Sequence, residues 1–228
     1  MTEMSCNSKE ETSCEVPIIE PDSQATTSRL QRRTARTRRK LLAAAKGMFC
    51  SRGVDATTIE EITERADLGK GTFYRYFDSK EDVVLALMEE ALNRLIKLLR
   101  GGKEPQTLQE MLVQMFDVHA RFFSSRRDDF LLLFQGRLLL KLEGDAVNGL
   151  EEHFGRYIDE VRVQLDRLLP QTLQPERAHS LAFAVIGMIF GFFSFAMSSA
   201  ETNDQKTNLK LLRQAFVFGC KAFLMDLA

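Results

Sequence analysis

Lys70, Thr72, Arg75 and Tyr76 place four hydrogen-bonding side chains within seven residues of the stretch Lys-Gly-Thr-Phe-Tyr-Arg-Tyr, and these residue types read nucleic acid. Lys70 and Arg75 carry donors that match the O6 and N7 acceptors of guanine, and Arg75 has the planar fork for a bidentate pair. Thr72 can meet a thymine methyl group or a phosphate. Tyr74 and Tyr76 offer hydroxyls that reach phosphates and rings that pack on bases or sugars. Gly71 lets backbone come close to DNA, although helix-start geometry accounts for a glycine there equally well. Such donors work only on a helix whose other side is buried. Phe73 and Phe77, four residues apart, supply that apolar side and are read as core.

The neighbouring elements must hold this helix in place. Ile59, Ile62 and Ala66 recur at helical spacing, and Thr58 with Glu61 has the form of a capping box, which predicts a short helix ending near Ala66. Asp67-Leu68-Gly69 breaks it, with Gly69 expected to take the left-handed conformation. A second short helix over Lys70 to Tyr76 then completes a helix-turn-helix. Upstream, Leu41, Ala45, Met48 and Phe49 share one face of a supporting helix expected from Thr37 to Arg52, with Gly53 as its stop. Thr57 and Thr58 open the next helix, where hydroxyls serve as caps and also suit phosphate binding. Downstream, Ser79 and Asp82 cap a long helix from Lys80 to about Arg100, with Val84, Leu87, Met88, Ala91, Leu95 and Leu99 along its apolar stripe. A lysine in the first turn, Lys80, opposes the helix dipole and so invites a reason of its own.

From about Thr37, through Ala43-Ala44-Ala45, Phe49, Gly53 and Thr57-Thr58, to the run from Gly69 to Met88 and ending near Leu95, the chain resembles the TetR family of bacterial transcriptional regulators. The resemblance implies an all-α protein: an N-terminal three-helix helix-turn-helix DNA-binding domain joined to a larger helical effector-binding and dimerisation domain. It implies double-stranded operator DNA as a partner, contacted by Thr57, Thr58, Gly69, Lys70, Gly71, Thr72, Tyr74, Arg75 and Tyr76, with a phosphate contact at Lys80. Many relatives carry His where Tyr76 stands here. Beyond Leu95 the resemblance is one of architecture.

Charge follows the same division. The chain has 31 Lys and Arg against 32 Asp and Glu, yet residues 29–80 carry thirteen basic and six acidic side chains, whereas residues 1–28 carry six acids and one lysine. Positive charge is thus gathered where phosphates would be neutralised. The expected organisation is an acidic disordered tail over 1–28, a basic arm over 29–40, a DNA-binding domain over 36–96 with its helix-turn-helix at 58–77, and an effector-binding and dimerisation domain over 97–228. Cys6, Cys14, Cys50 and Cys220 show neither a CxxC spacing nor disulfide-framework density, so a reducing cytoplasm is expected. The acidic, polar N-terminus does not read as a signal peptide. The apolar run Leu181 to Met197 falls short of a membrane span and lacks a basic flank, so it reads as a buried helix, with no membrane as partner.

Enzyme chemistry lacks its parts. His119, His153 and His179 have no metal-ligand spacing, no GxSxG or HExxH occurs, and Gly69-Lys70-Gly71 lacks the upstream glycine of a P-loop, so neither metal nor cofactor is expected. After Gly101-Gly102 and Pro105 the periodicity stays helical, with breaks at Gly144 to Gly149 and at Pro170. The last two helices are expected over about Glu176 to Ser199 and Thr207 to Leu227. The first is apolar almost all round and the second carries two apolar stripes, which argues for a homodimer, with Gly187, Gly191, Phe216 and Phe223 as candidate interface residues, although tight packing inside the subunit accounts for the two glycines equally well. Fourteen of seventeen Phe residues follow Leu95, enough to line an apolar cavity for a small apolar or aromatic effector. His119, Phe123, Phe134 and Phe192 are the candidates, although a core histidine with satisfied partners is the more common role for a residue like His119. Two functions compete: a ligand-responsive regulator, most simply a repressor, and an architectural or co-regulatory DNA binder whose C-terminal half only dimerises.

Overall fold

A computed structural model of the chain describes residues 23–139, 145–169, 175–198 and 205–225, and all regular structure among them is helical. The elements are α1 (Ser23–Arg52), α2 (Ile59–Arg65), α3 (Lys70–Phe73), α4 (Lys80–Arg100), α5 (Leu108–Ser125), α6 (Arg127–Leu139), α7 (Asp145–Asp166), α8 (Pro175–Ser198) and α9 (Gln205–Met225). The backbone divides into two compact units, Met1–Thr37 and Arg38–Ala228. In the first, the described residues are helical from Ser23, and the side chains at 31–36 are exposed. The helix thus begins fourteen residues before the expected Thr37. Arg, Gln and Ala favour helix without a buried face, so no apolar stripe announces it. The part of the expected tail over residues 1–22 lies outside the described residues.

In the second unit, α4 packs against α6 and α7, α5 against α9, and α8 against α7 and α9. One continuous core runs from Leu41, Phe49 and Phe73 through Leu87 and Leu95 to Phe116, Phe123, Tyr157 and Phe216. The caps fall where their residue types demand. Thr58 accepts from Glu61 N–H at 3.3 Å while the Glu61 carboxylate takes the Thr58 N–H at 2.9 Å, and Ser79 and Asp82 repeat the arrangement at α4. Arg52 and the Thr58 groups together hold the Glu61 carboxyl down at about 2. Gly53 closes α1 at φ +90, as expected of a left-handed stop.

Three local expectations are corrected. The left-handed residue after α2 is Asp67 (φ 55), whereas Gly69 is extended at φ −76 and serves as the N-cap of α3. Asp67 N–H donates to Glu64 O and Leu68 N–H to Thr63 O, at 3.0 and 2.9 Å, a closed Schellman turn. An aspartate tolerates this conformation better than most side chains. Secondly, α3 ends at Phe73, and the turn through Tyr74 to Phe77 is tightened by Tyr76 N–H donating to Phe73 O at 2.9 Å. Thirdly, the break expected over Gly144 to Gly149 is not found at 145–149, which are already helical in α7, while Gly144 and Pro170 lie outside the described residues.

The apolar α8 is buried along one face only. Ala178, Leu181, Ala182, Val185, Ile189 and Phe193 enter the core, while Phe183 is 47% exposed and Gly187 is also exposed. By length and composition alone, Glu176–Phe195 could cross a membrane, but its core face is occupied by this protein's own helices.

Candidate functional site

The short helix α3 is held by its two phenylalanines. Phe73 is wholly buried and Phe77 nearly so, with ring centroids 5.8 Å apart, and Arg38 lies over the Phe77 ring at 5.3 Å while pairing with Glu90 at 3.4 Å. One of the seven arginines and lysines of the basic run is therefore used to tie α1 to α4. With that side fixed, Lys70, Gly71, Tyr74 and Arg75 face outward, as does Thr58 at the head of α2. Thr72 and Tyr76 are half-buried, Tyr76 against the core.

Not every candidate donor is available in the same way. Lys70 Nζ pairs with Glu60 on α2, which holds the Glu60 carboxyl below its usual range and the ammonium above its own. Both groups are exposed, so water screens the pair and exchanging it for a phosphate or a guanine edge costs little. Thr57 is buried and its hydroxyl donates to Gly53 O at 2.8 Å, which turns it into the loop rather than outward. Lys80 supplies the reason its unfavourable place in the first turn invited: its ammonium donates to Val54 O at 2.9 Å and Thr57 O at 2.8 Å, stitching α4 to the α1–α2 loop. These two residues shape the reader from within.

The glycines say something different. Neither Gly69 nor Gly71 has a positive φ, and a methyl group built on either meets nothing within 4 Å. Nothing in the folded chain therefore requires a glycine at Gly71, although helix propensity disfavours it there. The open space at Gly71 leaves room for a body outside the chain to approach the backbone at this point.

The C-terminal candidates separate. His119 is fully buried between Met115 O and the Tyr157 hydroxyl, each 2.6 Å from a ring nitrogen. Nδ1–H donates to the carbonyl and Nε2 accepts from the Tyr157 O–H, which satisfies the whole ring. Burial pulls its pKa down to about 4 and pushes the Tyr157 hydroxyl well up. From His119, rings continue through Phe123, Phe130 and Phe134 with centroids 5.9, 4.9 and 5.6 Å apart, ending at the exposed Phe134. Phe192 is half-buried. Phe216 is wholly buried against Phe116 within the same chain, so its side chain belongs to the core rather than to a surface. Phe223 remains partly exposed, and methyl groups built on Gly187 and Gly191 meet nothing within the subunit.

A polar knot escaped the sequence reading. Asp129, in the first turn of α6, is 1% exposed and pairs with Lys46 of α1 and with Arg94 of α4 at 3.2 Å, while Arg126 stands 3.9 Å away. Its partners are dozens of residues apart, so no spacing could reveal it. Beside it, α4, α5 and the Gly101-Gly102 turn enclose a cleft of about 780 Å³.

Residues 41–87 match the family described as bacterial regulatory proteins, tetR family. An HTH-type transcriptional regulator from the lacX 3′ region of Lactococcus lactis subsp. lactis is 25% identical over 192 residues, 79% of this chain and 93% of its own. The fatty acid metabolism regulator protein of Bacillus subtilis is 26% identical over 177 residues, 76% and 88% of the two chains. The crystal structure of the Bacillus subtilis transcriptional regulator FadR in complex with stearoyl-CoA has the same fold, with a TM-score of 0.62 at 18% identity over 76% of this chain and 96% of that one.

Proposed function

Because the chain belongs to the TetR family of bacterial transcriptional regulators, we propose that it is a cytoplasmic repressor that binds a palindromic operator as a homodimer and leaves it when a small lipophilic effector binds. The observation that carries the DNA reading is the outward α3 edge, where Gly71 gives way to an approaching backbone and Arg75 and Tyr74 stand exposed beside it. Two such edges, one helical turn of DNA or about 34–36 Å apart, would meet successive major grooves. Arg75 supplies base readout, and Thr58, Lys70, Thr72, Tyr74 and Tyr76 supply further base and phosphate contacts. Thr57 and Lys80 hold the loop from which those contacts are made.

Dimerisation is assigned to the open faces of α8 and α9. Phe183, Gly187 and Gly191 follow one another at four-residue spacing on α8, and Leu211 and Phe218 are 57% and 76% exposed on α9. Apolar surface of this kind is covered most simply by its own copy. Effector binding is assigned to the helices beyond Leu95, along the aromatic path from His119 to Phe134, and acyl derivatives are the first compounds to try, given the fatty-acid regulator among the relatives. An effector acts by favouring a conformer in which α4 no longer holds the two readers at the half-site spacing. The test is selection of duplexes from a random pool, followed by a screen for compounds that release the selected site. A palindromic consensus supports the reading, and a protein that retains no duplex above background refutes it.

A further inference from the structure

The cleft beside the Asp129 knot is lined by five cationic side chains, Arg94, Lys97, Lys103, Arg121 and Arg126, and by no carboxylate. Arg94 and Arg126 are engaged by Asp129, and Arg94 also by Glu90 at 3.6 Å. Lys97, Lys103 and Arg121 have no carboxylate partner among the described residues; Arg121 donates only to the Asp117 backbone carbonyl at 3.3 Å. The floor is apolar, made by the buried Val118 and Phe122, and Leu98 stands half-exposed at the edge. A volume of about 780 Å³ falls within the ordinary range for small-molecule sites. Cations gathered around an apolar floor give the cleft a positive potential that draws an anion.

We infer that this cleft is a binding site for a small molecule that carries a diphosphate on an apolar or aromatic body, and that its occupation loosens the link between α6 and the DNA-binding helices. A single carboxylate would leave most of the positive charge uncompensated. A diphosphate offers several oxygens to lysine and arginine donors at once, and its body covers Leu98, Val118 and Phe122. DNA held at the reader is not the occupant: Lys97 lies seventeen residues along α4 from Lys80, about 25 Å at the helical rise. The coupling follows from shared cations. Arg94 and Arg126 line the cleft and also hold Asp129, which in turn holds Lys46 on α1. Arg94 is imperfectly matched where it is, since its Nε is buried without an acceptor. A phosphate arriving in the cleft competes with Asp129 for both arginines and so weakens the tie from α6 to α4 and α1.

The binding claim stands alone, whereas its effect on DNA rests on the regulator reading above. Both are tested with the full chain, by calorimetric titration with ADP, coenzyme A, inorganic pyrophosphate and palmitate, on the wild type and on the variant Lys97→Gln/Lys103→Gln/Arg121→Gln. The three altered residues are on the surface, so the variant should melt as the wild type does. Expected are saturable binding of ADP or coenzyme A at one per chain, weaker pyrophosphate, at least a tenfold loss in the variant, and palmitate indifferent to the substitutions. No saturation by any diphosphate, or equal affinity in the variant, overturns the site. Ligand should also speed amide exchange in the first turn of α6, where Phe130 N–H donates to Arg126 O at 3.2 Å, and lower operator affinity at least fivefold in the wild type alone. Unchanged exchange with ligand bound overturns the coupling and leaves the site. Failure to bind any duplex counts against the regulator reading, not against the cleft.

Discussion

Replacing Gly71 with alanine should move stability and DNA binding in opposite directions. Gly71 is the second residue of α3, has no positive φ, and has empty space around the position a Cβ would take. Alanine there lowers the entropy of the unfolded chain and fits the folded one without strain, a gain of about 0.5–1 kcal/mol. For a chain of this size that raises the melting temperature by about 1–4 °C. If a DNA backbone comes close at this point, the same methyl group overpacks the interface, at a cost of about 1–3 kcal/mol, or roughly five- to 150-fold in affinity. No charge changes, so the slope of affinity against salt concentration should stay as it was. Thermal melting and fluorescence anisotropy with a labelled operator over a salt series measure all three quantities. A variant that binds the operator as tightly as the wild type would remove the argument that the glycine exists for an external partner. A variant that melts lower would show that the local geometry has been misjudged.

Arg75→Ala should cost about 1–3 kcal/mol in operator binding and relax preference at one base pair, read by competition with single-base-pair operator variants; a uniform loss across all of them would make Arg75 a phosphate contact instead. Phe218→Glu places a charge on an exposed aromatic of α9, so the folded subunit should persist while sedimentation shows it turning from dimer to monomer, and a dimer of unchanged affinity would move the interface elsewhere. His119, neutral and buried with a pKa near 4 against an ordinary value of about 6.5, binds its proton more readily in the unfolded state, so its contribution to stability is intact above pH 6.5 and is lost as pH falls towards 4. Denaturant titrations of wild type and His119→Gln should therefore converge by about 2–3 kcal/mol between pH 7 and pH 4.5, and parallel profiles would show that the ring is not held neutral.

Local chemistry decided much of this protein before any tertiary contact was known. The capping boxes at Thr58 and Ser79, the stop at Gly53, the inward pair Phe73 and Phe77 and the outward Arg75 all follow from side-chain type and spacing within one or two helical turns. Interactions of that range are written in consecutive residues. The same reasoning placed the left-handed turn on Gly69, because glycine takes that conformation at least cost; the chain gives it to Asp67, where the hydrogen bonds of the closing turn fix the position.

What only the tertiary structure decided concerns groups that meet across the fold. Lys80 was set on the carbonyls of Val54 and Thr57, which no sequence window joins to it, and His119 gained its second partner from Tyr157, thirty-eight residues on. Phe216 and Phe218 are equally apolar in sequence, yet one fills the core and the other faces out, because the packing of α5 against α9 sets which face is covered. Asp129 drew no notice at the head of an apolar run. Burial made it the meeting point of three helices, since a carboxylate removed from water must find cations, and which cations those are depends on packing that no window of sequence contains.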